Sequence, residues 1–190
     1  MENLFSLLAE SFDLPILDWL RANLSCGFLD KVMPLITALG DDGIFWIAVA
    51  LLLLAFNKTR RTGLAVAFSL LMGLLVCNII MKPAFARIRP YDYQLEHFGQ
   101  TIPLLVERQH DFSFPSGHTI ASFEAATALL LCNKKLGIPA VVLAVLIAFS
   151  RLYLYVHYPT DVLTAIVLGI GLGVLGTYFA KKLPKGKYLQ

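Results

Sequence analysis

Residues 159–180 read PTDVLTAIVLGIGLGVLGTYFA, a stretch of 22 residues with a single charged side chain near its start. An α-helix rises about 1.5 Å per residue, so a stretch of this length crosses the roughly 30 Å hydrocarbon core of a bilayer. Thr62–Met81 and Leu136–Leu154 are similarly long and mostly apolar. Gly169 and Gly173 form a G-x-x-x-G pair, which favours close packing between membrane helices. These stretches predict an all-α, integral membrane helical bundle.

Composition and shorter apolar stretches extend this prediction to the whole chain. Of its 190 residues, 57% are hydrophobic and 15% are charged, whereas soluble domains have about 25% charged residues. Gly43–Phe56 and Ser116–Cys132 reach membrane length if flanking residues are included. Ser25–Leu39 is the weakest candidate because two adjacent charged residues lie within it. We predict one membrane-embedded domain, residues 1–190, with about six transmembrane helices, or five with an interfacial first helix.

The N-terminal residues 1–24 have a different pattern. Phe12–Leu24 mixes apolar residues such as Leu14 and Trp19 with charged ones such as Asp18. A helix with one apolar and one charged face lies along the membrane surface rather than crossing it. We therefore predict an N-terminal amphipathic helix at the interface.

Basic residues predict the orientation of the chain. Nine of the sixteen lie in segments that follow the second, fourth and sixth predicted spans: Lys58, Arg60 and Arg61; Lys134 and Lys135; and Lys181, Lys182, Lys185 and Lys187. The positive-inside rule makes their side cytoplasmic. We predict a multi-pass protein of the plasma membrane with a cytoplasmic C-terminus. Nucleic-acid binding would need a continuous basic face, so this pattern argues against that class.

The first of three polar clusters is Lys82–Pro90, after the span Thr62–Met81. Lys82 and Arg89 are seven residues apart, so on a helix they could project the same way. Pro83 complicates a regular helix because it disfavours the α conformation of the preceding residue. The alternative is a lysine that reaches the interface beside ordinary interfacial arginines. We place Arg87 in that second class.

The second cluster, Pro115–His118, opens the span that ends at Cys132. Ser116 is suited to an N-cap, and Gly117 allows the backbone to approach a ligand closely. Unpaired amides and the helix dipole at such a terminus bind anions. His118, one turn into the helix, could give a proton to the leaving oxygen of that anion. A capped helix with an interfacial histidine is the alternative.

The third cluster begins with Ser150 and Arg151 and continues to His157 and Asp161. The last two are four residues apart, so the carboxylate could accept a hydrogen bond from one imidazole nitrogen and leave the other nucleophilic. Pro159 is expected to begin the last helix. A purely structural hydrogen bond is the alternative. A metal pair is disfavoured because no further Cys, His or acidic ligand is suitably placed.

All three clusters fall on the predicted outer side of the membrane. Together they supply cations, imidazoles and a carboxylate, which suits the binding and transfer of a phosphate group. Each cluster adjoins a stretch of membrane length, so the phosphate is expected to belong to a lipid.

These clusters resemble the three-part signature of the type 2 phosphatidic acid phosphatases, or lipid phosphate phosphatases, which are related to the vanadium haloperoxidases. The signature is Lys-x6-Arg-Pro, Pro-Ser-Gly-His and Ser-Arg-x5-His-x3-Asp, matched here by Lys82, Arg89 and Pro90; Pro115, Ser116, Gly117 and His118; and Ser150, Arg151, His157 and Asp161. Every position matches. The catalytic motifs are therefore expected within residues 82–161.

The resemblance implies a role for each matched residue. His157 would attack phosphorus and become a phosphohistidine, Asp161 would orient it, and His118 would protonate the leaving group. The phosphoryl oxygens would be held by the remaining members of the set, Lys82, Arg89, Ser116, Gly117 and Arg151. Members of the family need no metal, and no cofactor is expected here.

The expected function is hydrolysis of a lipid phosphate or diphosphate at the non-cytoplasmic face. Undecaprenyl diphosphate is the leading substrate because its carrier must be recycled there. Phosphatidylglycerol phosphate, phosphatidic acid and lipid A 1-phosphate remain alternatives. A phospholipid transporter is a rival class, since it too would need intramembrane cations, and vanadate-dependent peroxidase chemistry is another, disfavoured because such relatives are soluble.

Glu124 is an ionisable residue within a predicted span, where a charge is costly. It could contact a substrate headgroup or be neutralised by a bond to another helix. We favour the second interpretation because Glu124 is six residues from His118 and so lies on a different helical face.

Overall fold

The structure, a computed structural model, describes residues 2–184. Within this range the chain forms ten α-helices and no strand, which confirms the all-α class: α1 Glu2–Leu8, α2 Leu14–Leu24, α3 Gly27–Ala38, α4 Ile44–Ala55, α5 Arg60–Gly73, α6 Lys82–Phe85, α7 Pro90–Phe98, α8 Gly117–Cys132, α9 Lys134–Tyr153 and α10 Pro159–Lys182. π-Helical turns, Ala9–Asp13 and Leu74–Met81, join α1 to α2 and α5 to α6. A 3-10 turn, Asp41–Gly43, precedes α4.

Three helical runs in the described residues are long and apolar enough to cross a membrane. They are Arg60–Phe98, which contains α5 to α7, Lys134–Tyr153 and Pro159–Lys182. Helices α3 and α4 are bent by 41° at a short break and would add a fourth span if they cross as one unit. α8 has 16 residues, fewer than the roughly 20 that a bilayer requires. Our count of six transmembrane helices stays a prediction.

The predicted N-terminal helix corresponds to the helical run of α1, the π-helical turn Ala9–Asp13 and α2, and we keep this name for that run. It packs on the bundle through one face. Its buried apolar residues, Leu14, Leu17 and Leu20, join a cluster that contains the segment after α9. Phe12 and Trp19 are exposed on the opposite face. The exposed face thus carries aromatic as well as charged side chains, such as that of Asp18, and the position of the helix at a membrane surface stays a prediction.

Small residues allow α10 to pack closely against α8 and α5. A Cβ at Gly169 would lie 2.8 Å from Phe123 Cβ, and one at Gly173 would lie 2.6 Å from Thr127 Cβ. Both contacts are with α8, so the predicted use of the G-x-x-x-G pair in helix packing is confirmed. This packing brings the beginnings of α8 and α10 together, because the connection through α9 leaves them parallel.

The basic segments lie at the opposite end of the bundle from the start of α10. Arg61, at the start of α5, donates a hydrogen bond from Nη2 to the carbonyl of Leu183, just beyond the end of α10, at 2.7 Å. Residues 117, 151 and 159 are correspondingly at the other end. Lys185 and Lys187, part of the predicted cytoplasmic tail, lie outside the described residues.

Candidate active site

A cavity of about 530 Å³ gathers most of the predicted site residues. It lies between the end of the Leu74–Met81 turn, the start of α8 and the end of α9. Its polar end is lined by six members of the predicted set, Lys82, Arg89, Gly117, His118, Arg151 and His157. Ser116 and Asp161 are fully buried behind this lining. Three clusters that are separate in sequence therefore meet at one place.

The first cluster does not use the helical geometry expected from sequence. α6 ends at Phe85, Ala86 adopts positive φ, and the chain is extended at Arg89 before α7 begins. Lys82 and Arg89 thus do not share one helical face, because the helix breaks between them. They still converge, since both contact Asp111: Lys82 Nζ forms an ion pair with it, and Arg89 Nη2 lies 2.5 Å from Oδ1.

Asp111 was not among the predicted site residues. Partial burial alone would raise the pKa of its carboxyl group, but the hydrogen bond from Lys82 and the charges of Lys82 and Arg89 lower it well below its ordinary value. The side chain is therefore an anion at neutral pH, and it is half exposed. Its carboxylate contacts two of the cations that the sequence predicts to hold a phosphoryl group.

The second cluster forms the start of α8. Ser116 is the N-cap residue, but its side chain makes no capping bond, and its Oγ accepts a hydrogen bond from Thr119 Oγ1 at 3.0 Å. His118 Nε2 lies 2.8 Å from Oδ1 of Asp41, an exposed residue of the 3-10 turn. A side chain at Gly40 would come within 2.7 Å of the imidazole ring, so this close approach requires glycine.

The third cluster places His157 in the turn between α9 and α10, and α10 begins at Pro159 as predicted. His157 Nδ1 is 3.4 Å from Asp161 Oδ2 and 3.5 Å from Ser113 Oγ. Nε2 faces the other way and lies 3.3 Å from Arg89 Nη1. The expected contact between His157 and Asp161 is thus present as a long hydrogen bond, with one ring nitrogen left towards the cations.

The surroundings of His157 favour its neutral form. Burial lowers the pKa of the imidazole well below its ordinary value, and the positive charges of Arg89, Arg151 and Lys82 lower it further. A neutral imidazole keeps one nitrogen unprotonated, and that form is the nucleophilic one.

Arg151 is a buried cation with free donors. Its Nη1 donates to Thr37 Oγ1 at 2.6 Å, while Nε and Nη2 have no hydrogen-bond partner among residues 2–184. Buried polar groups in proteins are nearly always paired, and an unpaired buried charge is especially costly. Because Arg151 lines the cavity, an anion bound there would supply the missing partner.

The placement of Arg87 among ordinary interfacial arginines is wrong. Its side chain is buried and forms ion pairs with Asp161 Oδ1 at 2.6 Å and with Asp13 Oδ2 at 2.7 Å. Asp13 lies 74 residues away in the N-terminal helix. Local spacing contains no signal for such a contact, because the partner comes from a distant part of the chain.

Among residues 2–184, the structure also lacks the bond predicted between Glu124 and another helix. Glu124 is 1% exposed, and its Oε2 has no hydrogen-bond partner within the described part of the chain. The carboxyl group instead packs against Gly73 of α5, where no side chain is present, and the residue lines the cavity together with His118. Glu124 and His118 lie on different faces of α8 but line the same cavity, because Gly73 has no side chain and leaves room for Glu124 beside α5.

Sequence reasoning therefore missed Asp13, Asp41, Ser113 and Asp111, which surround the predicted residues. Asp41 meets His118 across 77 positions, and Ser113 meets Asp161 across 48. Such contacts follow from the packing of helices and loops, and nothing in local periodicity indicates them.

The fold and the cavity define a class: a membrane-embedded helical protein with cations and imidazoles gathered at one end of its bundle. The chain belongs to the PAP2 superfamily, whose family model matches residues 62–185. This membership confirms the predicted class of lipid phosphatase.

Individual relatives cover most of the chain. This chain is 32% identical over 163 residues to an undecaprenyl-diphosphatase of Sulfolobus acidocaldarius, and the match covers 85% of this chain and 76% of that protein. It is 30% identical over 155 residues to undecaprenyl-diphosphatase BcrC of Bacillus subtilis, covering 82% and 77%. The crystal structure of a transmembrane PAP2-type phosphatidylglycerolphosphate phosphatase from Bacillus subtilis matches with a TM-score of 0.72 at 27% identity, covering 97% and 96%.

Proposed function

We propose that this lipid phosphatase hydrolyses a lipid phosphate or diphosphate at the non-cytoplasmic face of the membrane through a phosphohistidine, with undecaprenyl diphosphate as the leading substrate. The observation that carries the proposal is the cavity-lining pair of Arg151 and His157. Arg151 has unpaired donors and His157 has a ring nitrogen facing the cations, so an anion bound by Arg151 would lie beside the proposed nucleophile.

Two relatives support the choice of undecaprenyl diphosphate, since both are undecaprenyl-diphosphatases and each covers more than four-fifths of this chain. The similarity to the phosphatidylglycerolphosphate phosphatase structure favours a second candidate substrate, phosphatidylglycerol phosphate. Phosphatidic acid and lipid A 1-phosphate are further alternatives within the same reaction class.

The shape of the cavity supports a lipid substrate. Beyond its polar end the cavity continues between α4 and α5, where its walls are apolar: Ile47, Leu51, Leu54, Leu70, Leu71 and Leu74. Four of these, Ile47, Leu51, Leu71 and Leu74, are also exposed on the outside of the bundle. A lipid tail could enter sideways there while its phosphate reaches the cations.

In the first step the lone pair of His157 Nε2 forms a bond to phosphorus as the bond from phosphorus to the lipid-side oxygen breaks. The leaving oxygen takes a proton from His118. Asp161 holds the opposite ring nitrogen, Nδ1, and thereby fixes the tautomer that leaves Nε2 free. Lys82, Arg89, Arg151, Ser116 and the amide of Gly117 stabilise the charge on the other phosphoryl oxygens.

In the second step a water molecule attacks the phosphohistidine. His118 accepts its proton, the nitrogen–phosphorus bond breaks, and inorganic phosphate leaves with His157 restored. The scheme balances without a metal ion. In this structure Asp41 contacts the nitrogen of His118 that would donate the proton, and Asp111 contacts two of the cations. Both acids are well exposed, so substrate binding would displace them.

The proposed sidedness is supported by the three basic segments that follow the second, fourth and sixth predicted spans, because their described residues lie at the opposite end of the bundle from the cavity. Cysteine labelling in intact cells tests it, in a protein whose own three cysteines are replaced. Thr101→Cys should react with a membrane-impermeant maleimide, and Asn133→Cys should react only after lysis. The reverse pattern would place the site on the cytoplasmic side.

The enzymatic test uses purified protein in detergent with excess EDTA. Phosphate release from undecaprenyl diphosphate, phosphatidylglycerol phosphate and phosphatidic acid is compared by kcat/KM, and orthovanadate should inhibit it. His157→Ala and His118→Ala should each lower the rate at least about a hundredfold. Wild-type rates in the His157→Ala protein would remove this histidine from the mechanism, and binding without any phosphate release would favour a transporter.

A further inference from the structure

We infer that Asp13 and Arg87 are positioning residues: with Asp161 they form a buried chain of two ion pairs that links the N-terminal helix to the proposed nucleophile. The inference rests on the proposed function, because Asp161 orients a nucleophile only if His157 is one. It assigns a part in the reaction to the N-terminal helix, which contains none of the three motifs.

Arg87 divides its guanidinium group between two carboxylates. Nη1 lies 2.6 Å from Asp161 Oδ1, and Nη2 lies 2.7 Å from Asp13 Oδ2. All three side chains are buried, and both aspartates have no exposed surface. The guanidinium carbon also lies 3.7 Å from the centre of the Tyr158 ring. The planar group is therefore held from both ends and from one face, which a single point charge such as lysine could not reproduce.

Asp13 contacts the start of α10 as well as Arg87. Its Oδ1 accepts a hydrogen bond from the backbone N–H of Thr160 at 2.9 Å, and its Oδ2 accepts one from Thr160 Oγ1 at 2.7 Å. The first N–H groups of a helix have no partner within the helix, so Asp13 supplies one from another part of the chain. Thr160 is the neighbour of Asp161, so this bond fixes the backbone that carries the carboxylate.

The two oxygens of Asp161 have separate partners. Oδ1 is bound by Arg87, whereas Oδ2 accepts hydrogen bonds from Ser113 Oγ and from the backbone N–H of Tyr158 and faces His157 Nδ1 at 3.4 Å. With Oδ1 fixed, Oδ2 can point only towards the imidazole. Arg87 does not line the cavity that contains His157, so it acts on the reaction through Asp161.

This arrangement predicts that damage to the ion-pair chain lowers turnover more than it lowers phosphate binding. The binding cations, Lys82, Arg89 and Arg151, do not contact Asp13 or Arg87, and they would keep their positions. Misplacement of the nucleophile by about 1 Å can cost about a hundredfold in rate. A residue needed only for folding would instead reduce the amount of active protein and leave the kinetic constants of the folded fraction unchanged.

The experiment measures kcat for a lipid substrate and Ki for inorganic phosphate in full-length, folded protein. Asp13→Asn keeps the shape of the side chain but removes its charge, and Arg87→Lys keeps the charge but not the two-ended geometry. We expect each to lower kcat by about 10- to 100-fold and to leave Ki within about twofold. Arg108→Gln is the matched control, since it breaks an exposed ion pair with Asp92, and its kcat should equal that of the wild type.

Three outcomes would overturn the inference. Wild-type kcat in a folded Asp13→Asn or Arg87→Lys protein would show that Asp161 needs no such support. Equal losses in kcat and in phosphate affinity would show a general disturbance of the site, and failure of both variants to fold would assign the chain of ion pairs to stability. The proposed function is judged separately by His157→Ala: full activity in that variant defeats the phosphohistidine, whatever Asp13 and Arg87 do.

Discussion

Two regions of this protein handle buried charge in opposite ways. Around Asp161 the buried charges are paired: the carboxylates of Asp161 and Asp13 both bind the guanidinium group of Arg87. Thr160 Oγ1 accepts a hydrogen bond from Arg87 and donates one to Asp13. At the cavity the pattern is reversed. Within residues 2–184, the buried side-chain atoms without a hydrogen-bond partner are Arg61 Nε, Glu124 Oε2 and Arg151 Nε and Nη2, and three of these four belong to residues that line the cavity.

The side chains around Asp161 are held in place before a ligand arrives, whereas the unpaired donors of Arg151 in the cavity would gain their partners from the ligand. A fully paired network holds its groups in one geometry, as the support of a nucleophile requires. Unpaired buried donors raise the energy of the free protein, and a bound anion removes that cost. The remaining cavity cations are paired with Asp111, a half-exposed residue that a stronger anion can displace.

The largest effect is expected from Arg151, the unpaired cation. Arg151→Ala removes donors that we assign to the phosphoryl oxygens, and loss of such a group costs about a hundredfold to a thousandfold in rate. We expect kcat/KM for a lipid phosphate to fall by that factor and the Ki for inorganic phosphate to rise with it. Steady-state kinetics in detergent measure both quantities.

Arg108→Ala is the control for this variant, since it removes an exposed arginine from outside the cavity. If Arg151→Ala retained wild-type affinity for phosphate, the unpaired donors would not face the ligand. The contrast between the two regions would then have no bearing on binding.

The second prediction concerns pH and His157. Its pKa is lowered by burial and then by Arg89, Arg151 and Lys82, and the nucleophile must be neutral. A lowered pKa keeps the ring neutral at acidic pH, so the acid limb of kcat/KM due to His157 should lie below pH 6.5, the ordinary histidine value. Arg89→Gln removes a positive charge 3.3 Å from Nε2, which raises this pKa and should move the limb to higher pH.

The comparison of pH profiles uses one substrate for both proteins, so any difference between their acid limbs belongs to the enzyme. Arg108→Gln, which lies outside the cavity, should leave the profile unchanged. A limb that stays in place in Arg89→Gln would contradict the assignment to His157.

The same contrast explains how far sequence reasoning could go. Apolar stretches of membrane length predicted the helical class, and the glycine pair predicted close packing against α10, because both depend on local composition. The three motifs predicted six residues at the polar end of the cavity and two buried behind them, since these are the groups that a phosphate needs. Helical periodicity failed for Lys82 and Arg89, where the chain breaks at Ala86.

The paired network was invisible in the sequence for a physical reason. Asp13 and Arg87 are 74 positions apart, and their contact arises only when the N-terminal helix folds against the segment after α9 and the first residues of α10. A buried ion pair has no periodic signal, and each member alone is compatible with an ordinary surface position. Asp41 and Asp111 were missed for the same reason, as loop residues that meet the site only in the folded chain.

A smaller effect is expected from Asp111, the anion that contacts Lys82 and Arg89. Asp111→Asn removes a carboxylate that competes with the ligand, while its backbone carbonyl still accepts the 3.0 Å hydrogen bond from Arg89 Nε. Half-exposed ion pairs contribute up to about 1 kcal/mol, so Ki for inorganic phosphate should fall about twofold to fivefold. Inhibition of lipid hydrolysis by phosphate measures it.

Glu107→Gln is the matched control, because it changes the net charge equally from an exposed position in the same segment. Tighter phosphate binding in both variants would indicate a general charge effect. Weaker binding in Asp111→Asn would show that the carboxylate orders the cations instead of competing with the ligand.

The last prediction concerns the stability of the fold instead of binding or rate, and it tests Glu124, whose Oε2 has no hydrogen-bond partner among residues 2–184. Burying a polar group without a hydrogen bond costs about 1–3 kcal/mol, and Glu124→Leu removes that cost while nearly preserving the volume beside Gly73. The variant should therefore unfold at a higher temperature than the wild type, by thermal melting in detergent. Glu124→Gln keeps a polar group in the same place and should melt close to the wild type. A lower melting temperature for Glu124→Leu would mean that the carboxyl group has a stabilising partner in the membrane-embedded protein, and Glu124 would then belong with the paired region around Asp161.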